Sequence, residues 1–346
     1  MTERTQFDHR SQSILQSIVE AYIATGEPVA SRTISRTGGG RQLSPATIRN
    51  VMADLYDSGY LSQPHTSAGR IPTAKAFRAY VKTLSHRRLP ATELQRVRSE
   101  LRQTDSVGER LEKTSHLLTE MTRNVGIAAA IPTDSQTLRR VEFLQLSDTR
   151  VLMVVETSDG TVRNRVVALA TAATQDELNT VRNFVNASYS GWTISAIRTD
   201  LQFRLAEDRA AYDTLLLQLQ ALYQNGLLEL GLTPEVHLEG TSNLVGADLE
   251  LNRDRLREIF RTLEEKQRLL ELLDRFLEQS RKDVAIHIGL GDLHPSLQDL
   301  SLIGLTVSLP SGISTRVAVL GPIRMNYSQV LSSVYHVGEA IQSLSA

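Results

Sequence analysis

The stretch LSPATIRNVMADLYDSGYLSQPHTSAGRIPT, residues 43 to 73, constrains the local fold more tightly than any other. Ser44 can accept a free N–H at a helix start, and Pro45 suits the first helical position, where its missing N–H costs nothing. Ile48, Val51, Met52 and Leu55 then recur on one face of a helix. Gly59 stands where the C-cap of that helix would fall. Beyond it, Tyr60 to Gln63 and a run beginning near Arg70 read as two short strands around the polar loop PHTSAG. A helix followed by two strands and a polar loop is the pattern of a wing behind a recognition helix.

The preceding residues complete the unit. Ile14, Leu15, Ile18, Val19, Tyr22 and Ile23 give a helix from Asp8 to about Ala24 one apolar face, and Gly26 and Pro28 stop it. VASRTISR reads as a short second helix begun by Ala30 or Ser31 and anchored by Ile34, and Gly38, Gly39 and Gly40 make a flexible connection. Residues 1–90 are therefore expected to be an N-terminal winged helix-turn-helix DNA-binding domain.

The outer face of the third helix carries Ala46, Thr47, Arg49, Asn50 and Ala53. Base edges in the major groove are read by planar or bidentate hydrogen-bonding groups near a helix N-terminus, with small neighbours that let the helix sink in. An ordinary solvated face would carry more Lys and Glu. Thr47, Arg49 and Asn50 are accordingly expected to read bases. Arg32, Ser44, His65, Thr66 and Arg70 are expected to hold the domain on phosphate or in the adjacent minor groove, with Ser67 beside them in the loop.

Charge supports this placement. Residues 1–90 hold 12 Lys and Arg against 6 Asp and Glu, whereas the other 256 hold 26 against 33, so a net charge of -1 conceals a basic end and an acidic remainder. Phosphate affinity depends on local basic surface and not on total charge. A length of 346 residues suits two or three domains. With no cysteine there is no disulfide or thiolate site. No apolar run approaches the roughly 20 residues of a membrane span, and the charged start lacks a signal-peptide core. A cytoplasmic protein with no membrane association is expected.

The remainder alternates strands and helices. Residues 91–125 are helical and charge-rich, with a break at DSVG. RRVEFLQL and TRVLMVVETSDGTVRNRVVAL read as strands, with Asp159-Gly160 as a hairpin turn. Helical patterns follow to about 230, including AAYDTLLLQLQALYQ, and a long helix from Arg253 to Ser280 carries a leucine-rich stripe that reads as core. Strands return in DVAIHIG, LSLIGLTVSLP and STRVAVLG before a last helix near Asn326. This order suggests an α+β domain interrupted by an insertion. HIGLGDLHP lacks a third glycine and reads as a turn, and no phosphate loop, His-Glu-x-x-His or Gly-x-Ser-x-Gly occurs. No catalytic residue, cofactor or metal is expected.

YIATGEPVASRTIS, the 43–73 stretch and FRAYV together resemble the heat-inducible transcription repressor family, HrcA, with weaker matches at LEGTSNL (238–244) and VAVLGPIRMNYSQVLSSV (317–334). The resemblance implies a helical connector over 91–110, a GAF-like domain over 111–171 and 246–346, and an inserted α/β dimerisation domain over 172–245. It also implies a homodimer on double-stranded DNA at the CIRCE inverted repeat upstream of chaperone operons, repression lost on heat shock, and the chaperonin GroEL as a partner. A winged-helix repressor controlled by a small-molecule effector in the C-terminal body, and an interaction scaffold, are the other readings. A DNA-modifying enzyme has no site to act through.

Overall fold

The computed structural model describes residues 9–36, 43–65, 68–104, 106–132, 136–158, 160, 162–207, 219, 221–225, 227, 234–246, 253–277, 284–292, 294–308 and 313–344. The expectations placed on Gly38, Gly39, Gly40, Thr66, Ser67 and Asp159, and on most of 210–224, lie outside the described residues.

The first unit is built from α1 (His9–Thr25), α2 (Ser31–Ile34), α3 (Pro45–Asp57), β1 (Leu61–Ser62), β2 (Ile71–Pro72) and α4 (Ala74–Val81). Ser44 caps α3, its hydroxyl accepting the Thr47 N–H at 3.1 Å. At the other end Gly59, with φ +74°, reverses the chain so that the Tyr60 N–H reaches the Leu55 carbonyl at 2.9 Å. β1 and β2 pair antiparallel, and Val29 adds a third chain by exchanging two 2.9 Å backbone bonds with Arg70. That approach requires glycine at 69, because a Cβ there would lie 2.6 Å from the Val29 carbonyl oxygen. Ile14, Ile18, Ile34, Ile48, Leu55 and Phe77 close the core of the unit.

The chain continues through α5 (Ala91–Arg102), α6 (Val107–Thr122), β3 (Val125–Pro132), β4 (Leu138–Gln145), β5 (Arg150–Thr157), β6 (Val162–Ala168), α7 (Gln175–Tyr189) and α8 (Ile194–Glu207). Then come β7 (Glu235–Glu239), α9 (Asn243–Gly246), α10 (Arg253–Glu264), α11 (Lys266–Leu277), β8 (Ala285–Ile288), β9 (Leu300–Ser308), β10 (Ile313–Pro322) and α12 (Tyr327–Ser343). The protein is α+β and multidomain.

A five-stranded sheet in the order β7-β3-β10-β9-β8, antiparallel throughout, forms the body. Strand alternation sends Ile303, Leu305, Val317 and Val319 to a core shared with α6 and α12, and Leu302, Ala318 and Leu320 to one shared with α10 and α11. The expected long helix from Arg253 is interrupted at Glu265, and its stripe is core: Leu263, Leu273 and Leu277 are buried. The first unit is docked on the body, since its core runs continuously into that of α12 and Phe77 lies against Tyr327 with ring centroids 5.9 Å apart.

Sheet pairing moves the insertion boundaries. Among the described residues β4, β5 and β6 form ladders only with one another and bury Val141, Phe143, Val151, Met153 and Val155 against α7 and α8. They belong to the inserted unit and not to the body segment expected over 111–171. β7 was expected inside the insertion over 172–245 but pairs with β3 in the body. The unit enclosed between β3 and β7 therefore starts near 136 and ends before 234. Its β4 edge is covered by α7, where Asn186 bonds the Val141 N–H at 2.8 Å and carbonyl at 3.0 Å, and Gln175 bonds the Gln145 N–H at 2.8 Å. The opposite sheet face is open and carries Leu144, Val162 and Val166, all exposed.

Among the described residues no helix is long and apolar enough to cross a membrane, and no group of three or more His, Asp or Glu side chains could hold a metal.

Candidate nucleic-acid interface

Helical periodicity divides α3 as the sequence suggests. Ile48, Val51, Met52 and Leu55 are buried, while Ala46, Arg49, Asn50 and Ala53 are exposed and Thr47 is half-buried at the edge. The Thr47 hydroxyl lies 2.9 Å from that of Ser44, so these two side chains form a small polar group at the positive end of the helix. Arg49 and Asn50 project free of the core one turn further on. Their alanine neighbours leave the backbone open to close approach.

The hairpin is tied to the other end of α3. Arg70 stacks its guanidinium over Tyr56 at 4.7 Å, which places a cation from β2's entrance on the last turn of the helix. Lys75 does the same from α4, lying 4.5 Å from the Tyr60 ring centre and donating to the Ser58 carbonyl at 2.9 Å. Thr73 binds the joint: its hydroxyl caps α4 and meets the Gly59 carbonyl at 2.9 Å. His65 is exposed at the loop, where its carbonyl accepts the Ala68 N–H at 2.9 Å. Arg32 is exposed on α2, and Thr66 lies outside the described residues.

Sequence reasoning missed Tyr56 and Lys75. Tyr56 was open to detection, as an aromatic residue on the polar side of an otherwise clean amphipathic helix; its contact with Arg70 joins positions 14 residues apart and has no local signal.

Electrostatically, the surface is uncompensated. Among the described residues no ion pair involves Arg32, Arg49 or Arg70. Behind the hairpin, Pro64, His65 and Ala68 line a cleft of about 1380 Å3 whose far wall, on the body, includes Arg123, Arg255 and Arg324. The arrangement offers hydrogen-bond donors and positive charge on a convex helix, which suits a polyanion with a groove.

The HrcA protein C-terminal domain, as a family, matches residues 108–331. The heat-inducible transcription repressor HrcA of Geobacter sulfurreducens is 34% identical over 98% of both chains. The repressor of the same name from Xanthomonas axonopodis pv. citri is 33% identical over all of this chain and 99% of its own. The chain belongs to the HrcA family. It is a heat-inducible transcription repressor. A crystal structure described as that of a hypothetical protein, 21% identical, shares the HrcA chain's fold with a TM-score of 0.56 over 98% of this chain and 99% of that one.

Proposed function

We propose that this repressor reads its operator with α3 in the major groove and the β1–β2 hairpin as a wing beside it, and that two chains act together on an inverted repeat. Uncompensated arginines around a small, polar helix face carry this reading. Thr47, Arg49 and Asn50 contact base edges; Arg32, His65, Thr66 and Arg70 contact the backbone or minor groove. Ser44, whose hydroxyl already caps the helix, contributes through the positive helix end that it stabilises.

One such unit spans only a few base pairs, so operator recognition calls for a two-fold pair. The open face of the β4–β6 sheet suits self-association, because Leu144, Leu152 and Val166 form one cross-strand row and Val162 stands on the same face two rows away. The enclosing unit is thus read as a dimerisation domain inserted in a GAF-like body. Family membership extends the proposal to the CIRCE repeat of chaperone operons, to GroEL as the partner that helps keep the repressor in its DNA-binding form, and to the cytoplasm as the place of action.

A small-molecule effector is the second reading. The cleft between the first unit and the body favours it, since a ligand there would touch both. A ligand that raises the thermal midpoint and changes operator affinity together would establish it.

Selection of bound sequences from random duplexes by the purified protein tests the main proposal. An enriched inverted repeat is expected. Enrichment of an unsymmetrical site, or none at low salt, overturns it.

A further inference from the structure

The segment joining the first unit to the body, residues 82–90, is gripped by one face of α12. The Arg87 N–H donates to Ser332 Oγ at 3.0 Å, and the Arg87 carbonyl lies 3.1 Å from His336 Nε2. Both polar atoms of one linker peptide unit's residue are thereby held by a single turn of helix. His336 Nδ1 faces the Glu339 carboxylate at 3.1 Å, so whichever ring nitrogen carries hydrogen meets an acceptor. Beside them the rings of His86 and Tyr335 stack, 3.9 Å apart and 14° from parallel, while Tyr335 Oη donates to Glu339 at 3.1 Å.

This is more attachment than a connector needs. Ser332 and His336 are buried although Arg87 and His86 are exposed, so α12 spends interior polar groups on the backbone of a surface segment. Leu84 and Leu89 pack into the shared core on either side of the grip. From α4, Arg78 donates to the Ile288 carbonyl at 3.0 Å. The docked unit is therefore held at both the linker and α4, and rotation of one contact without the other would break part-buried hydrogen bonds.

We propose that Ser332, Tyr335 and His336 are positioning residues: they latch the linker so that the DNA-binding unit keeps one orientation on the body, and with it the spacing at which two units meet a paired site. None of them touches DNA. Releasing the latch leaves each reading helix intact and makes its orientation variable.

The chain has no cysteine, so Gln12→Cys on α1 and Glu112→Cys on α6 give one spin-label pair per chain, spanning the two units. The labelled chain is diluted with unlabelled chain so that only distances within one chain are read. A single narrow distance is expected in the parent. Tyr335→Ala with His336→Ala should broaden it about twofold, because loss of roughly one hydrogen bond and one stacking contact brings minor orientations into view. His336→Gln, which keeps a donor, should broaden it less, and Ser332→Ala serves as the mildest variant if the double variant does not fold. Unchanged widths in the folded variants overturn the latch.

A second arm rests on the inverted-repeat reading above. Operators with half-sites moved by one base pair should be disfavoured about tenfold by the parent and about twofold by the latch variants, with single half-site affinity unchanged. Half-site affinity falling in parallel would place the damage in the reading unit and overturn the proposal. A parent indifferent to spacing would sink the inverted-repeat reading, while the label distances still decide the latch.

Discussion

Arg139 and Arg140 of β4 converge on the nearly buried carboxylate of Glu156 at 2.6 and 2.5 Å, whereas Arg49 of α3 faces solvent with no ion pair among the described residues. In the body and the inserted unit Arg96 pairs with Glu120, Arg182 with Glu142, and Arg255 with Asp299. In the first unit Arg32 has no such partner among the described residues, and Arg70 rests on an aromatic ring. One residue type serves two purposes, and the neighbouring carboxylate decides which. A paired guanidinium fixes geometry within the chain, and an unpaired one keeps its charge for a ligand whose own counterions it can displace.

A second contrast lies in the two open faces. α3 offers small and polar residues, suited to a groove lined with hydrogen-bonding edges. The β4–β6 sheet offers Leu144, Val162 and Val166, suited to a second copy. Leu144→Asp with Val166→Asp breaks the latter most directly. Dimer dissociation in sedimentation and a loss of operator affinity of about 100-fold are expected, because the linkage between two binding units is removed. An unchanged mass would show that this face is not the contact.

Asn50→Ala, on the other face, should cost about 1 to 3 kcal/mol in operator binding and leave the mass of the protein alone. Glu156→Gln should lower thermal stability by about 1 kcal/mol, discounted for the exposure of both arginines, with no effect on DNA preference. If it strengthened DNA binding, Arg139 and Arg140 of the inserted unit would be a reserve of charge and not a structural device. Arg70→Ala should flatten the log–log salt dependence of binding by about 0.9 per site, as expected for one lost phosphate contact. An unchanged slope would place Arg70 off the backbone.

The smallest effect concerns His287, on β8. Burial holds its imidazole below the ordinary value of 6.5, partly opposed by a bond to the Phe276 carbonyl. Below that ordinary value the unfolded chain takes up a proton that the folded chain refuses. The stability this group contributes is whole above about pH 6.5 and declines as pH falls towards the lower folded value. Thermal midpoints measured between pH 5 and 7 should show the slope, and His287→Gln should remove it.

What was legible in the sequence follows the range of the interaction. Ser44, Pro45, Gly59 and Thr73 act on their own turn or the next, so the elements of the first unit and the exposed face of α3 could be read in order. The insertion boundary could not. β3 (VGIAAAIP) and β4 (LRRVEFLQ) follow one another closely along the chain, and only pairing assigns them to different sheets: β3 joins β10, 181 or more residues ahead, and β4 joins β5 within one hairpin. The valines of β6 illustrate the same limit. Period-two alternation identified the strand, but the side that faces the core was settled by α7 and α8, which left Val162 and Val166 outside and turned Arg163 towards Glu235.

On the reading proposed above, the outer face of α3 selects the DNA. Sequence selection from random duplexes, run in parallel with the parent and Asn50→Ala, tests it most directly. One base position, repeated symmetrically in both half-sites, should lose its preference while the others keep theirs. Uniform weakening at every position, or an unaltered site, would contradict it.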